Sequence, residues 1–404
     1  MKLLILTSQV SPYHNARYVG ATKYFEDVHV VSTVNAGAFP EFIAKSLGKY
    51  QLHRLYEGHE AYVAAAASKE LVCQIKKVFE EIGPDFIAAA GWATPGSLAA
   101  LEYGRDCKVP TILMSESQVD DAPRSALREV LKRRIVSQFD AALVGGPPHA
   151  EYAKRLGIPS DKIHFGYNAV DNAYFEREAD AARAHGDVLR ARYNLPERYI
   201  LASARMIKKK NLSNLIAAYA VARNRLADPP ELVVLGDGPE RTVVEAAIRS
   251  NRVEGFVHLP GFRGYEVLPA YYALSEGFLH VSTAEQWGLV INEAMASGVP
   301  VIASRPCGAA RSVIEDGVTG LLTDVDVASI SDVITRLYDM SPEARAELGL
   351  SGRDEIGRWG PERFGSGLRA AVDSARKTPR RSRIQPWDRA ILNQLQRKII
   401  DTVA

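Results

Sequence analysis

Residues 277–303 read G-F-L-H-V-S-T-A-E-Q-W-G-L-V-I-N-E-A-M-A-S-G-V-P-V-I-A, and the fold class follows from this stretch. Gly277–Val281 is a short apolar run that predicts a strand, and Ser282–Trp287 reads as a loop. Gly288–Ser297 has apolar residues at helical spacing, Gly298 suits a left-handed helix stop, and Val299–Ala303 predicts the next strand. Glu285 then falls just before a helix N-terminus, and Glu293 falls inside the helix, one to two turns along. The amides of Trp287, Gly288 and Leu289 stand at the positive end of the helix dipole, which suits an anion such as phosphate. Carboxylates beside such a site would repel phosphate, so their use is to accept hydrogen bonds from hydroxyls. A ligand with both phosphate and many hydroxyls is a sugar nucleotide. A bare pair of glutamates at this spacing is usually two solvated helix-end carboxylates, and only its surroundings give this pair meaning.

Strand and helix signals alternate along most of the chain, which predicts parallel sheets with helices on both faces. Strands are expected at 2–7, 28–32, 85–89, 111–114 and 141–144, and again at 199–204, 231–235, 256–259, 277–281, 299–303 and 320–323. Helices are expected at 68–82 and 124–138. A charged, Ala/Arg-rich segment without a strand separates the two series. We therefore expect an α/β chain of two Rossmann-like, doubly wound domains. The first would span 1–172, 173–198 would link it to a second at 199–375, and 376–404 would form a basic linker and a last amphipathic helix from Trp387 to Ile400. In such sheets ligands bind outside the carboxyl ends of the strands.

A chain of 404 residues is long enough for two cores. Its net charge of +2 gives no footprint for nucleic acid. Three cysteines, widely spaced and without C-x-x-C, argue against a disulfide framework or zinc site and fit a reducing, cytoplasmic compartment. The apolar N-terminal run is too short for a signal peptide, and no window reaches transmembrane length. Nothing in the sequence bears on oligomeric state.

Two cations fall at the ligand-facing edge of the second sheet. Arg205 ends its first strand in S-A-R-M-I-K-K-K-N-L, and Lys210 follows just before a helix. A planar fork and a point charge together suit a diphosphate. In V-V-L-G-D-G-P, Gly236 and Gly238 directly follow a strand. Arg241 stands where a dinucleotide fingerprint needs its third glycine, and a tight strand–helix turn explains the pair as well. Asp324-Val325-Asp326 could hold a metal against a diphosphate, but the two cations already fill that role, so it reads as a polar loop.

Taken in order, S-A-R-(x4)-K-N, V-V-L-G-D-G-P, H-L-P-G-F (258–262) and E-(x7)-E-A-M-A-S-G-V-P-V-I-A resemble the retaining glycosyltransferases of family 4. G-Y-N-A-V-D (166–171) and D-G-V-T-G-L-L (316–322) extend the likeness, which covers about residues 140–325. The resemblance implies the GT-B fold: two domains facing across a cleft, the acceptor held by the first (1–172), the donor nucleotide-sugar mainly by the second (199–375), and the C-terminal helix crossing back to the first. By that likeness Arg205 and Lys210 would bind the diphosphate and offset charge on the leaving group. Glu293 would accept from ribose hydroxyls and Glu285 from those of the transferred hexose. Backbone near Trp287, Gly288 and Leu289 would complete the phosphate site, with Gly236 in the same donor set, and Leu259, Gly261 and Phe262 would face the base. Transfer would proceed with retention to a saccharide or lipid-linked saccharide, without a metal or other cofactor, the leaving phosphate helping to deprotonate the acceptor. Glu285 would then position and stabilise, not attack.

The first domain departs from the family pattern. Where the family has a glycine pair after the first strand, this chain reads S-P-Y-H-N-A-R-Y-V-G, and where the family tends to carry a histidine, it has Glu116. Glu116 could accept from a sugar hydroxyl or act as a base. His14, Asn15, Arg17 and Trp92 are the other acceptor-side candidates. Arg128, Lys132, Arg133 and Arg134, interleaved with apolar residues, make a basic amphipathic helix that could touch an anionic membrane at its cytoplasmic face. Two rivals share the architecture: a sugar-nucleotide epimerase, which leaves E-(x7)-E unexplained, and a non-catalytic sugar-nucleotide-binding subunit. A Rossmann oxidoreductase lacks its G-x-G-x-x-G.

Overall fold

The computed structural model describes residues 1–34, 48–68, 70–121, 124–377, 385 and 387–392. They form two compact units. One lies within Met1–Val119, Pro123–Ala169 and Trp359–Ala404, the other within Asp120–Ala122 and Val170–Arg358.

The first unit holds seven parallel strands: β1 (Lys2–Thr7), β2 (Asp27–Ser32), β3 (Gln51–Arg54), β4 (Phe86–Ala90), β5 (Thr111–Ser115), β6 (Ala141–Val144) and β7 (Ile163–Phe165). Their order is β3-β2-β1-β4-β5-β6-β7. The central strands are buried along almost their whole length, as near-continuous apolar runs covered by helices on both faces must be. The second unit holds β8 (Tyr199–Ser203), β9 (Glu231–Leu235), β10 (Val257–Gly261), β11 (Phe278–His280), β12 (Val301–Ser304) and β13 (Leu321–Thr323), in the order β10-β9-β8-β11-β12-β13. In each sheet the order reverses beside the first strand, between β1 and β4 and between β8 and β11, the position at whose carboxyl ends such sheets form their ligand crevice.

Two expectations about the domains change. The presumed linker is helical, over Asn172–Ala184 and Gly186–Tyr193. The first of these buries Phe175, Ala179 and Ala182 within the second unit, against the helices Leu268–Ala273 and Leu289–Ala296. The apolar stripe on this helix needs a partner, and the neighbouring helices supply it. The boundary expected at 375 instead falls near Trp359, because the helix Pro361–Arg376 lies in the first unit. There Phe364, Leu368, Ala371 and Val372, all fully buried, cover a face of the sheet that includes Leu3, Ile5, Ile112 and Leu143. Gly20 and Gly365 let this helix approach Pro12–Ala21 closely: a Cβ on Gly20 would meet the Pro361 carbonyl oxygen at 2.0 Å. Of the expected last helix, residues 387–392 are helical, with Leu392 in the first unit's core. The remainder, and most of the basic linker, lie outside the described residues.

Candidate active site

The second unit brings its motif residues to the β8/β11 crevice. After β8 the chain turns through Ala204–Met206, and the glycines of V-V-L-G-D-G-P hold that turn. At φ +113° a Cβ on Gly236 would sit 2.1 Å from the Ala204 carbonyl oxygen, and one on Gly238 would sit 2.5 Å from that of Met206. Met206 N donates to Asp237 O (2.9 Å) and Glu240 N to Met206 O (3.0 Å). The structure thus gives these glycines a packing reason: the two loops lie too close for side chains between them, and Gly236 acts through the backbone it supports. Arg205 is exposed on this turn, and Lys210 closes the following helical turn with its side chain mostly buried.

Across the crevice, the loop after β11 carries Glu285, whose side chain is 12% exposed. One carboxylate oxygen, Oε2, meets Lys210 Nζ, lies 3.5 Å from His280 Nε2 and accepts from Ser282 Oγ at 3.4 Å. Lys209 Nζ stands 3.8 Å from Oε1. Burial alone would raise this carboxyl, but His280 and Lys210 outweigh it and hold Glu285 well below the usual carboxylate range. Cations and carboxylates were expected to divide a ligand between them; here Lys210 and Glu285 are paired with each other, because opposite charges so little solvated attract strongly.

Backbone bonds fix the loop. Thr283 N donates to Lys209 O (2.8 Å), Gly308 N to Glu285 O (3.1 Å) and Ala309 N to Trp287 O (3.0 Å). Trp287 is 1% exposed and donates Nε1–H to Asn292 Oδ1 at 2.8 Å, so its indole is an anchor. Gly288, at φ +98°, turns the chain into the helix Leu289–Ala296. A Cβ at Gly288 would crowd His280 Nε2 at 3.3 Å. Glu293, on that helix, is fully buried and accepts from Tyr272 OH at 2.8 Å. Leu259 and Gly261 lie at the end of β10, partly exposed, and Gly261 takes φ +82° in open space. Asp326 caps the helix Val327–Asp339 by accepting from Ser329 N, and Asp324 pairs with Arg305 at 3.6 Å. The D-x-D is therefore a capping turn.

In the first unit the acceptor-side candidates divide. Glu116, after β5, accepts from Asn168 Nδ2 at 2.6 Å. Arg17 is 4% exposed, donates Nε–H to Ala169 O at 3.1 Å and lies over the Tyr167 ring. These residues gather on the segment after β7, where burial also raises the Tyr167 phenol. His14 is nearby in sequence but serves its own helix: Nδ1 bonds Ser11 Oγ at 2.8 Å in a capping box. Burial, then Arg17, pushes its imidazole down to about 3. Asn15 accepts from Gly48 N and Tyr50 OH and ties down another loop. Trp92 lies under the Lys132 ammonium (4.9 Å to the ring). Lys132 is 7% exposed and donates to Tyr152 OH at 2.6 Å. It therefore faces inward, not toward a membrane as the basic-helix reading required, because Tyr152, Glu129 and two aromatic rings provide for its charge. Leu127 and Val130 do face outward, 72% and 65% exposed. His280, Ser282, Tyr167 and Asn168 were not singled out from sequence; the available signals were the histidine inside the apolar run G-F-L-H-V and, for Tyr167 and Asn168, the segment G-Y-N-A-V-D.

Residues 189–355 match the family described as glycosyl transferases group 1. The chain is 30% identical over 201 residues to an alpha-D-kanosaminyltransferase of Streptomyces kanamyceticus, over 49% of this chain and 50% of that protein. It is 31% identical over 241 residues to a GDP-mannose-dependent alpha-(1-6)-phosphatidylinositol monomannoside mannosyltransferase of Mycolicibacterium smegmatis, over 57% of this chain and 59% of that one. The matches thus span between half and three fifths of these curated relatives. Among solved structures, HepE of Anabaena in complex with UDP superposes with a TM-score of 0.70 at 17% identity, covering 93% of this chain and all of that one. Sucrose-phosphate synthase of Thermosynechococcus elongatus gives 0.69 at 20%, over 91% and 97%. The family match thus lies in the second unit, and the fold of the chain is GT-B.

Proposed function

We propose that this group 1 domain serves a retaining, metal-independent hexosyltransferase, which moves a sugar from a nucleoside-diphosphate donor to a saccharide or lipid-linked saccharide. The observation that carries the reading is the meeting of Lys210, Glu285 and the glycine-led helix start at Gly288 in the crevice where the second sheet reverses order. Arg205 and Lys210 would neutralise the diphosphate as the bond to the sugar breaks, the charge compensation a metal supplies elsewhere. Amides at Gly288 and Leu289 would add donors to the phosphates. Glu285, already ionised, would accept from sugar hydroxyls once Lys210 engages phosphate, and Glu293 would do so from the ribose. Leu259 and Gly261 would border the base. The acceptor would be oriented by Glu116 with Arg17, its proton passing to the leaving phosphate on the same face of the sugar.

The named activities of the relatives, transfer of kanosamine and of mannose to a phosphatidylinositol mannoside, support a sugar donor and an acceptor of saccharide or lipid-linked type. For the latter, the outward Leu127 and Val130 beside Arg128 and Arg133 would give a small anionic-membrane contact. Thermal-shift screening against UDP-, GDP-, ADP- and dTDP-sugars is the first test, followed by NMR of the product anomer and turnover in EDTA. Stabilisation by none of the four sinks the donor-site assignment; an inverted anomer, or loss of turnover in EDTA, sinks the mechanism.

A further inference from the structure

His280 closes β11 and has no role in the reading above. It shares a strand face with Phe278, on whose ring it stacks with centroids 6.4 Å apart at 12°. The residue is 3% exposed. Its Nε2 points at three things: Ser282 Oγ (3.2 Å), Glu285 Oε2 (3.5 Å) and the bare backbone of Gly288, where a Cβ would stand 3.3 Å away. An apolar side chain would fill this position without burying a polar ring, so packing does not explain a histidine. The charged groups that face it are Glu285 from its own loop and Lys210 and Lys209 from the segment after β8. The Cys307 thiol, after β12, lies near Glu285 and Lys210 and is pushed up to about 11, chiefly by burial. Burial lowers the His280 imidazole most, Glu285 raises it, and the two lysines lower it again.

We propose that His280 is a positioning residue for Glu285, which holds the carboxylate against the helix start and takes up a proton to replace Lys210 as its partner when a nucleoside diphosphate engages that lysine. The inference rests on the donor-site reading. Its physical core is charge balance. Lys210 cannot compensate a phosphate and Glu285 equally well, and a carboxylate left this buried without a counter-charge is costly. Phosphate oxygens on Lys209 and Lys210 would also cancel the positive field that opposes an imidazolium. Solvent supplies the proton: an N–H bond forms on the imidazole as an O–H bond of hydronium breaks, and no bond between heavy atoms changes. Linkage fixes the sign: if binding raises the His280 pKa, affinity must rise as pH falls toward that value.

The test is calorimetry of the full chain with UDP, GDP, ADP and dTDP, near pH 7, in two buffers of different ionisation enthalpy, on the parent, His280→Gln and His280→Leu. The parent should take up a proton on binding. His280→Gln keeps an N–H donor where Nε2 stands but cannot titrate, so it should bind close to the parent at high pH with no proton uptake by this side chain. His280→Leu should bind roughly tenfold more weakly, also without that uptake. The terminal phosphate of the nucleotide also titrates near pH 7 and contributes equally to parent and variant, so a purely structural histidine predicts the same proton number in the parent and in His280→Gln, and that result overturns the proposal while leaving the donor site standing. If none of the four nucleotides binds the parent, the donor-site reading falls and this inference falls with it.

Discussion

Replacing Lys210 with methionine keeps most of the stem and removes one charge from a pair whose side chains are 14% and 12% exposed. Stripping a buried carboxylate of its partner costs about 3–5 kcal/mol where nothing else compensates it. Here Lys209 remains at 3.8 Å, Ser282 Oγ at 3.4 Å and His280 at 3.5 Å, so the expected loss is nearer 2 kcal/mol at neutral pH. For a unit of this size that is a fall of about 4–8 °C in its melting transition. The pH profile sharpens the test. Glu285 is a carboxyl held below its ordinary value of 4.5, so the stability it contributes is fully present above that value and lost as pH falls through the lower, folded one. In Lys210→Met the carboxyl moves back up, and the gap between parent and variant should narrow as pH drops below about 4.5. Urea unfolding of the full chain at several pH values would measure it, with Glu285→Gln and the double variant completing a cycle. A coupling energy under about 0.5 kcal/mol, or a gap indifferent to pH, would refute the argument that these two charges depend on each other.

Other substitutions separate structural from binding roles. Gly236→Ala drives a Cβ to 2.1 Å from the Ala204 carbonyl and should destabilise by more than about 3 kcal/mol. Gly261→Ala, with a positive φ but open space, should cost only about 1–2 kcal/mol; equal losses in thermal melts would contradict the packing account. Arg205→Ala, at an exposed position, should leave stability within about 0.5 kcal/mol yet weaken nucleotide-diphosphate binding by roughly tenfold or more, as read by calorimetry. Arg128→Glu with Arg133→Glu should reduce co-sedimentation with anionic vesicles, whereas Lys132→Met should change stability and not vesicle binding; the reverse pattern would show that the inward placement of Lys132 is wrong.

Local pattern made much of this architecture readable. Helical spacing from Gly288 to Ser297 anticipated the helix Leu289–Ala296, and most apolar runs became strands within a residue or two. The two missed strands show the limit: β3 is Q-L-H-R, an exposed edge with no apolar run, and β7 is only three residues long. Side-chain contacts across long sequence separations were invisible. Spacing placed Glu285 before a helix, but nothing in it said that Lys210, 75 residues earlier, would close on the same oxygen as His280 and Ser282. The same holds for Lys132. Its cation-rich neighbourhood resembles a surface stripe until Tyr152, 20 residues on, is seen to accept its proton bond.

The helix Pro361–Arg376 has a consequence for how the molecule is made. A ribosome delivers the whole sheet of the first unit before the helix that covers one of its faces, and it completes the second unit, Val170–Arg358, in between. Until then the apolar side chains that Phe364, Leu368 and Val372 will bury have only the partial cover of Tyr18, Ala21 and Phe25. The core of the first unit is therefore closed by the last part of the chain to be made, and its sheet face stays partly open through the synthesis of the second unit.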